Sequence, residues 1–340
     1  MLQIPRSEVC FIKPVRFISV LARHPFTIIT LALFLYVGLA LYLDIGKVSK
    51  TTFRINYWTV PLILTPITID ILLLAFRFHR LLRVLNFNIP MKKSILIYFI
   101  GLSFAITPIS AGQILRSQII KKEFDYAFSK TSPILLFEKW SELAAVLVIL
   151  VALAIVNLML ESIFIIIVGT ALVLVFFGIM RNRGLLFLFF KKTTTRFRRL
   201  RKFEASIENS QESLKKLASR RVVLLDGFII TIPAQMLQAI AVFLVFQMIG
   251  VKIDFVASTQ VYFTSIVAGI LSFIPGGLVV AEGGMLALLA KYYYNYELAL
   301  LVSAVIFVRL FTFWYATLFG VITGLITYRG FLTAKGKLDA

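Results

Sequence analysis

The segment that decides the fold is TPISAGQILRSQIIKKEFDYAFSKTSPILLFEKWSE, residues 107–142. It sets Arg116 beside an apolar run, and it ends with Glu138 and Glu142, which lie about one helical turn apart. A charged side chain at the centre of a bilayer costs about 3 kcal/mol, or several times more in some estimates. If the chain spans a membrane, these charged residues therefore indicate a functional site.

The composition indicates an integral membrane protein. Of the 340 residues, 60% are hydrophobic, and the mean hydropathy is +0.93. Several apolar runs are long enough to cross roughly 30 Å of hydrocarbon as a helix. The net charge of +20 would suggest nucleic-acid binding in a soluble chain. Here the basic residues lie between the apolar runs, so we expect anionic membrane lipids, and no nucleic acid, as partners.

The sequence does not resemble a soluble enzyme. Cys10 is the only cysteine, which excludes an intramolecular disulfide and a cysteine-based metal cluster. The chain contains no phosphate loop, dinucleotide-binding glycine pattern, nucleophile elbow or HExxH motif. We therefore expect no cofactor, no metal and no enzymatic activity. One enzymatic alternative stays open, an intramembrane transferase that uses Glu138 or Glu282 as a base with a lipid-phosphate donor.

The apolar runs predict an all-α polytopic fold with about six full transmembrane helices. These spans are predicted at residues 26–43, 57–76, 132–157, 162–180, 222–250 and 299–327. Two further segments, residues 94–120 and 257–291, each contain two short apolar halves separated by a break. Because each half is too short to span, we interpret both segments as broken re-entrant helical hairpins.

The two hairpins suggest an inverted repeat within a single transmembrane domain, residues 1–340. The first unit, residues 57–180, and the second unit, residues 222–327, each contain one hairpin, and the hairpins open on opposite faces. Between the units, residues 181–221 hold thirteen basic and three acidic residues, a net charge of +10. Apolar residues recur at helical spacing in this linker, which predicts an amphipathic helix on anionic lipid, or alternatively a docking site for a partner protein.

Charge also predicts the orientation. The segments assigned to the cytoplasmic face, which include a loop at residues 77–93, carry a net charge of +21, against +1 on the opposite face. Because basic loops stay in the cytoplasm, we expect a multi-pass protein of the inner (cytoplasmic) membrane with both termini cytoplasmic. Two full crossings in place of each hairpin would keep the same orientation, and only the short apolar halves argue against them.

Four motifs resemble a known family. They are TPISAGQILR, FEKWSEL, SFIPGGLVVAEGG and VRLFTFWYATLFG, and they occur in this order. The chain resembles the lysylphosphatidylglycerol synthase transmembrane-region family, also called the flippase-like domain family, over roughly residues 25–330. The resemblance implies a multispan lipid-handling domain, here expected without the soluble aminoacyl-transferase domain of the bifunctional bacterial members. The chain departs from the family at Gln113, where members commonly have Glu.

These observations predict a substrate site between the two hairpins. Two arginines would hold an anionic headgroup, and three glutamates would balance them when the site is empty. Glycines and a proline would turn the chain at membrane depth and expose backbone amides to an anion. The predicted substrate-binding residues are Gly112, Gln113, Arg116, Glu138, Glu142, Pro275, Gly276, Gly277, Glu282 and Arg309.

Structural roles stay open for several of these residues. Arg116 could be an anchor that reaches the headgroup region. Arg309 is expected to pair with an internal acid, a lipid phosphate or both. Glu138 and Glu142 would either flank an arginine or share a proton. For Glu282, the dipole of the following helix is an alternative explanation.

Other polar residues and glycines are assigned structural roles. Asp70, Asp226 and Lys139 are expected near the ends of spans. Gly320 and Gly324 are expected to allow close helix packing, either within the fold or between copies of a homo-oligomer.

The function expected from the sequence is a lipid flippase or scramblase for an anionic or phosphate-linked lipid. A secondary transporter of a small polar solute is one alternative. The other is a non-transporting membrane partner of a lipid-modifying or glycosyltransferase enzyme.

Overall fold

A computed structural model describes residues 58–105, 111–157, 159–182, 204–272, 274, 276–277 and 279–336, without the side chains of residues 111–112, 204–209 and 328–336. The predicted first span, residues 26–43, lies outside these ranges. In the described part the regular elements are all helices, with no strand, so the all-α prediction is confirmed.

The helices follow one another with short connections. In chain order they are α1 (Thr59–Val84), α2 (Met91–Leu102), a 3₁₀ turn (Ala111–Ile114), α3 (Leu115–Phe124), α4 (Phe128–Thr131), α5 (Pro133–Val156), α6 (Leu160–Arg181), α7 (Glu204–Ser219), α8 (Arg221–Ile249), α9 (Phe255–Leu271), α10 (Val280–Tyr292), α11 (Leu298–Arg309), a π-helical turn (Leu310–Trp314) and α12 (Tyr315–Gly336).

Five stretches among the described residues are long and apolar enough to cross a membrane. They are Thr59–Val84, Phe128–Val156, Leu160–Arg181, Arg221–Ile249 and Leu298–Thr327. They coincide with the five spans predicted after the first one. The chain is therefore a multi-pass membrane protein. Its exposed apolar residues fit this setting: Phe164, Ile167 and Leu174 of α6 are all more than half exposed, as lipid-facing side chains are.

The first described helix is longer than predicted. We placed residues 77–93 in a cytoplasmic loop, but α1 continues to Val84. The prediction was wrong because it ended the helix at the first basic residue, although Phe78 and Leu81 continue the buried face. Asp70 consequently lies near the middle of α1, not near its end, and it is buried.

Two sets of short helices occupy the segments predicted as hairpins. Helices α2 and α3 have 12 and 10 residues, while α9 and α10 have 17 and 13. At 1.5 Å per residue, α2, α3 and α10 fall well short of 30 Å of hydrocarbon. Helices α9 and α10 pack against each other, and a Cβ atom added to Gly269 would lie 3.3 Å from the Cα atom of Gly277.

The last helix packs closely on the end of α2. A Cβ atom added to Gly320 would lie 2.5 Å from the backbone nitrogen of Ser103, so only glycine fits there. The expected close contact at Gly320 is confirmed, and it lies within the fold. Around Gly324 nothing described lies within 4 Å of an added Cβ atom.

The described part of the basic linker forms α7. Its Leu214 and Leu217 are buried, and the helix packs against α4, α5 and α6. Ser210 donates a hydrogen bond to the carbonyl oxygen of Ser129 at 2.9 Å. At Leu214 and Leu217 the apolar face of α7 is thus covered by protein. An amphipathic pattern predicts a buried face, but it does not say what buries that face.

Candidate functional site

Arg116, in the first turn of α3, has a buried guanidinium that is 3% exposed. Its Nη2 donates to Oε2 of Glu138 at 2.8 Å, and its Nη1 lies 3.4 Å from Oε1 of the same carboxylate. Gln113 accepts from Nη2 through its side-chain oxygen at 3.0 Å and from Nε through its carbonyl oxygen at 3.2 Å. Gln113 therefore supports the arginine without adding a negative charge.

Aromatic rings and a glycine complete the slot around Arg116. Its Cζ lies 4.8 Å from the ring centroid of Phe78 and 4.9 Å from that of Tyr98, distances typical of cation–π contacts. A Cβ atom added to Gly101 would lie 2.7 Å from Cγ and Cδ of Arg116. The side chain thus fills a space that helices α1, α2 and α3 form together.

A second buried ion pair lies next to the first. Nη2 of Arg77 donates to Oε1 of Glu142 at 2.6 Å, while its Nη1 donates to Thr231 at 2.6 Å and to Ser141 at 3.2 Å. Lys139 donates to the other oxygen of Glu142 at 2.7 Å. The two glutamates are therefore held by two different arginines, so neither a single bridging arginine nor a shared proton is needed.

We call the residues of these two pairs, together with Lys139, the arginine–glutamate cluster. Its members are Arg77, Arg116, Glu138, Lys139 and Glu142. Both arginines are at most 3% exposed, and Glu138 is 1% exposed. The cluster residues belong to α1, α3 and α5. Thr231 of α8 accepts a hydrogen bond from Arg77 and donates one to the carbonyl oxygen of Gly227.

Among the described residues of the second half, one buried ion pair is present. Arg309, the last residue of α11, donates from Nε to Oε1 of Glu282 at 2.7 Å and from Nη2 to the carbonyl oxygen of Gly276 at 2.9 Å. Its Cζ lies 4.6 Å from the ring centroid of Phe313. The expected pairing of Arg309 with an internal acid is confirmed. Glu282 lies in the first turn of α10, where the helix dipole also favours a negative charge.

The backbone before α10 has unusual geometry. Gly276 and Gly277 have φ values of 62° and 66°, which suit glycine. Val279 has φ 72° and ψ −49°, a conformation that costs a β-branched residue about 1–3 kcal/mol. Pro275, another predicted site residue, lies outside the described residues. The predicted turn at this break is present, and it carries backbone strain at a residue that the prediction did not name.

A π-helical turn, Leu310–Trp314, follows Arg309 directly. Such turns inside α-helices are rare and occur often at functional sites. The turn shifts the register of the helix just after the arginine. No sequence feature indicated it.

The structure brings most predicted site residues into two groups. Arg116 contacts both Gln113 and Glu138, and Glu142 lies beside them with Arg77. Gly276, Glu282 and Arg309 form the other group, with Gly277 in the same turn. Gly112 lies in the 3₁₀ turn, and its surroundings are not described.

Two residues that matter were missed. Arg77 and Asp70 were assigned to a loop and to a span end, yet both are buried on α1. Their seven-residue spacing, continued back to Ile63, is the period of one buried helix face and could have revealed them. Among the described residues, no group of three His, Cys, Asp or Glu side chains could hold a metal ion.

Comparison with known proteins gives a family. No curated protein matches the sequence. The Lysylphosphatidylglycerol synthase TM region family matches residues 28–320, which include both ion-paired groups. The chain therefore belongs to the lysylphosphatidylglycerol synthase TM region family, a membrane domain of lipid-related, flippase-like proteins.

Proposed function

We propose that this protein moves an anionic or phosphate-linked lipid between the leaflets of a membrane, as a flippase or scramblase. The observation that supports this is the position of two buried arginines, Arg116 and Arg309, each beside a break between short apolar helices. Buried ion pairs are weak contributors to stability, and apolar side chains in their place are often as stable. Two of them in an apolar domain therefore favour a role in binding.

We propose an inverted-repeat architecture around these arginines. Residues 94–120 and 257–291 would be re-entrant hairpins from opposite faces, each presenting its break near the bilayer midplane. The short lengths of α2, α3 and α10 support this arrangement. A headgroup would enter between the hairpins, while the acyl or prenyl chains stay in the surrounding lipid.

Substrate phosphate would take the place of a glutamate. A guanidinium offers five donors in a planar fork, which suits a carboxylate and a phosphate equally well. Without substrate, Glu138 and Glu282 occupy that fork, so neither arginine is left as a buried unpaired charge. Exchange of one anion for another leaves each arginine with a counter-charge in both states.

The remaining expectations fit the same proposal. The basic segments support an inner membrane protein with both termini in the cytoplasm. The protein would act as a transporter without a cofactor and without chemistry of its own. A lipid-modifying or glycosyltransferase enzyme that uses the same lipid, and a second copy of the chain, are the partners we propose to look for.

A proteoliposome assay tests the proposal. Fluorescent phosphatidylglycerol or phosphatidylcholine is incorporated, and dithionite reports how fast lipid from the inner leaflet becomes accessible. The test variant combines Arg116→Gln with Glu138→Gln, because removing both charges avoids leaving one of them buried alone. The control combines Lys93→Gln with Glu123→Gln, an exposed pair with side chains 57% and 40% exposed.

We expect phosphatidylglycerol from the inner leaflet to become accessible to dithionite faster than phosphatidylcholine. This difference should be lost in the test variant and kept in the control. Transport at the normal rate by the folded test variant would overturn the role of Arg116. If the folded wild-type protein moves neither lipid, the proposal fails, and the solute-transporter and enzyme-partner alternatives become the stronger ones.

A further inference from the structure

Asp70 is a buried acid that the proposed lipid site does not use. It lies near the middle of α1, on the face buried in the protein, and is 5% exposed. Within the part of the chain that the structure describes, its Oδ1 has no hydrogen-bond partner. A buried carboxylate with an unsatisfied oxygen is costly when ionised, and binding a proton removes most of that cost.

The ionisable groups that act on Asp70 come from three helices. Arg77 lies two turns along α1, while Glu142 and Lys139 belong to α5. Tyr262 of α9 interacts electrostatically with Asp70 as well. Arg77 and Lys139 are cations, and both are paired with the Glu142 carboxylate. The protonation state of Asp70 is therefore set by how fully those cations are already neutralised.

The charges of the arginine–glutamate cluster make this dependence specific. Arg77, Arg116 and Lys139 contribute three positive charges, and Glu138 and Glu142 contribute two negative charges. An ionised Asp70 makes the sum zero, whereas a protonated Asp70 leaves one positive charge. In addition, Nε of Arg77 is buried without an acceptor among the described residues. With Asp70 protonated, the cluster thus has both an excess positive charge and a donor without an acceptor for an incoming anion.

A hydrogen bond connects the part of α1 around Asp70 with the second ion-paired group. Two residues before Asp70, Thr68 forms a hydrogen bond of 2.8 Å with Tyr315, which follows the π-helical turn after Arg309. A rearrangement around Asp70 can therefore be passed to the helix that follows Arg309.

We propose that Asp70 is the proton-binding residue that couples lipid binding to a proton gradient. This inference rests on the proposed function, and it adds the energy source. Binding of a lipid phosphate to the cluster neutralises the cations, so that Asp70 binds one proton. Release of the proton restores the carboxylate, which competes with the phosphate for the cations and expels it. Because binding is reciprocal, a proton on Asp70 strengthens phosphate binding by the same factor. Lipid and proton would cross in the same direction.

Calorimetry tests proton binding without requiring transport. A short-chain phosphatidylglycerol is titrated into the purified protein at one pH, in two buffers that differ in ionisation enthalpy. We expect the wild-type protein to take up close to one proton per lipid, and Asp70→Asn to bind lipid with almost none. The control is Asp226→Asn, whose carboxylate pairs with Arg80 and is 27% exposed, and which should match the wild type.

Proteoliposomes then test the coupling. With an alkaline interior, fluorescent phosphatidylglycerol should accumulate in the inner leaflet of wild-type vesicles, and this accumulation should disappear with Asp70→Asn. No proton uptake in the wild type, or equal uptake in Asp70→Asn, would overturn the inference. So would a flux that follows a sodium gradient and not a pH gradient.

The two proposals fail in different ways. Selective lipid movement that ignores the pH gradient would refute the coupling and leave the proposed function standing. The protein could instead move no lipid and still take up a proton through Asp70 when it binds an anionic lipid. That result would refute the proposed function and keep Asp70 as the proton-binding residue. A protein that binds no anionic lipid would refute both.

Discussion

The two ion-paired groups differ in what surrounds the arginine. Around Arg116 the partners are the Glu138 carboxylate and both the side-chain and the backbone oxygen of Gln113, and a second arginine and a lysine lie close by. Around Arg309 the partners are one carboxylate and a backbone carbonyl, beside a glycine-rich break and a π-helical turn. The first group is rich in charge, and the second is rich in unusual backbone.

This difference suggests a division of labour between the halves of the molecule. In the first group, the protonation of Asp70 and the charges of the arginine–glutamate cluster depend on one another. We assign to this group the control of anion binding. The second group has a strained backbone at Val279, near the glycine-rich turn that Arg309 contacts. Such a backbone can change conformation at little cost, because part of the strain is released when it moves. An inverted repeat therefore need not have two equivalent sites.

Removing one partner from each pair gives the largest expected effect. Glu138→Ala leaves the Arg116 guanidinium buried without a carboxylate and should destabilise the fold by about 3–5 kcal/mol. Glu282→Ala should cost less, because the Glu282 side chain is 11% exposed, against 1% for Glu138, and the arginine that it leaves is therefore less completely shut off from solvent. Thermal unfolding in detergent measures both losses. Equal losses would contradict the difference between the groups.

The slot around Arg116 is tested by its glycine. A Cβ atom at Gly101 would meet Arg116 at 2.7 Å, so Gly101→Ala should displace the arginine and cost about 1–3 kcal/mol. Gly178→Ala is the matched control, since nothing described lies within 4 Å of its added Cβ atom. In the control, alanine should leave stability unchanged or raise it by up to about 1 kcal/mol. The same unfolding assay compares the two, and an equal response would show that the slot has room.

Much of the fold could be predicted from the sequence because membrane spans are long apolar runs. All five spans predicted within the described residues are present. The end of α1 was missed because a count of apolar residues stops at Arg77, whereas the buried face continues through it. In the sequence alone, a buried arginine cannot be distinguished from one in a loop, because the acidic residue that pairs with it is not known.

The site could be predicted by residue type but not by pairing. Arginines and glutamates near helix breaks were recognisable, since ionisable groups are rare in such surroundings. Which arginine meets which glutamate depends on tertiary packing: Arg77 and Glu142 are 65 positions apart. The strain at Val279 and the π-helical turn are backbone properties that the residue types at these positions do not predict.

The smallest expected effect belongs to the strained residue of the second group. Val279→Gly should raise stability by about 1 kcal/mol, because glycine adopts a φ of 72° without strain. The valine side chain is 62% exposed, so little packing is lost. Val175→Gly, equally exposed but within α6, is the control and should lower stability by about 1 kcal/mol.

Lipid movement measured on the same Val279→Gly variant sharpens the comparison between the groups. If strain before α10 helps the second hairpin to change conformation, relieving it should slow transport while the protein becomes more stable. The proton uptake assigned to Asp70 should stay unchanged, because Val279 carries no charge and does not belong to the arginine–glutamate cluster. Slower transport with unchanged proton uptake would show that the second group affects conformational change while the first group controls proton binding. A loss of both together would show that the two groups act as one.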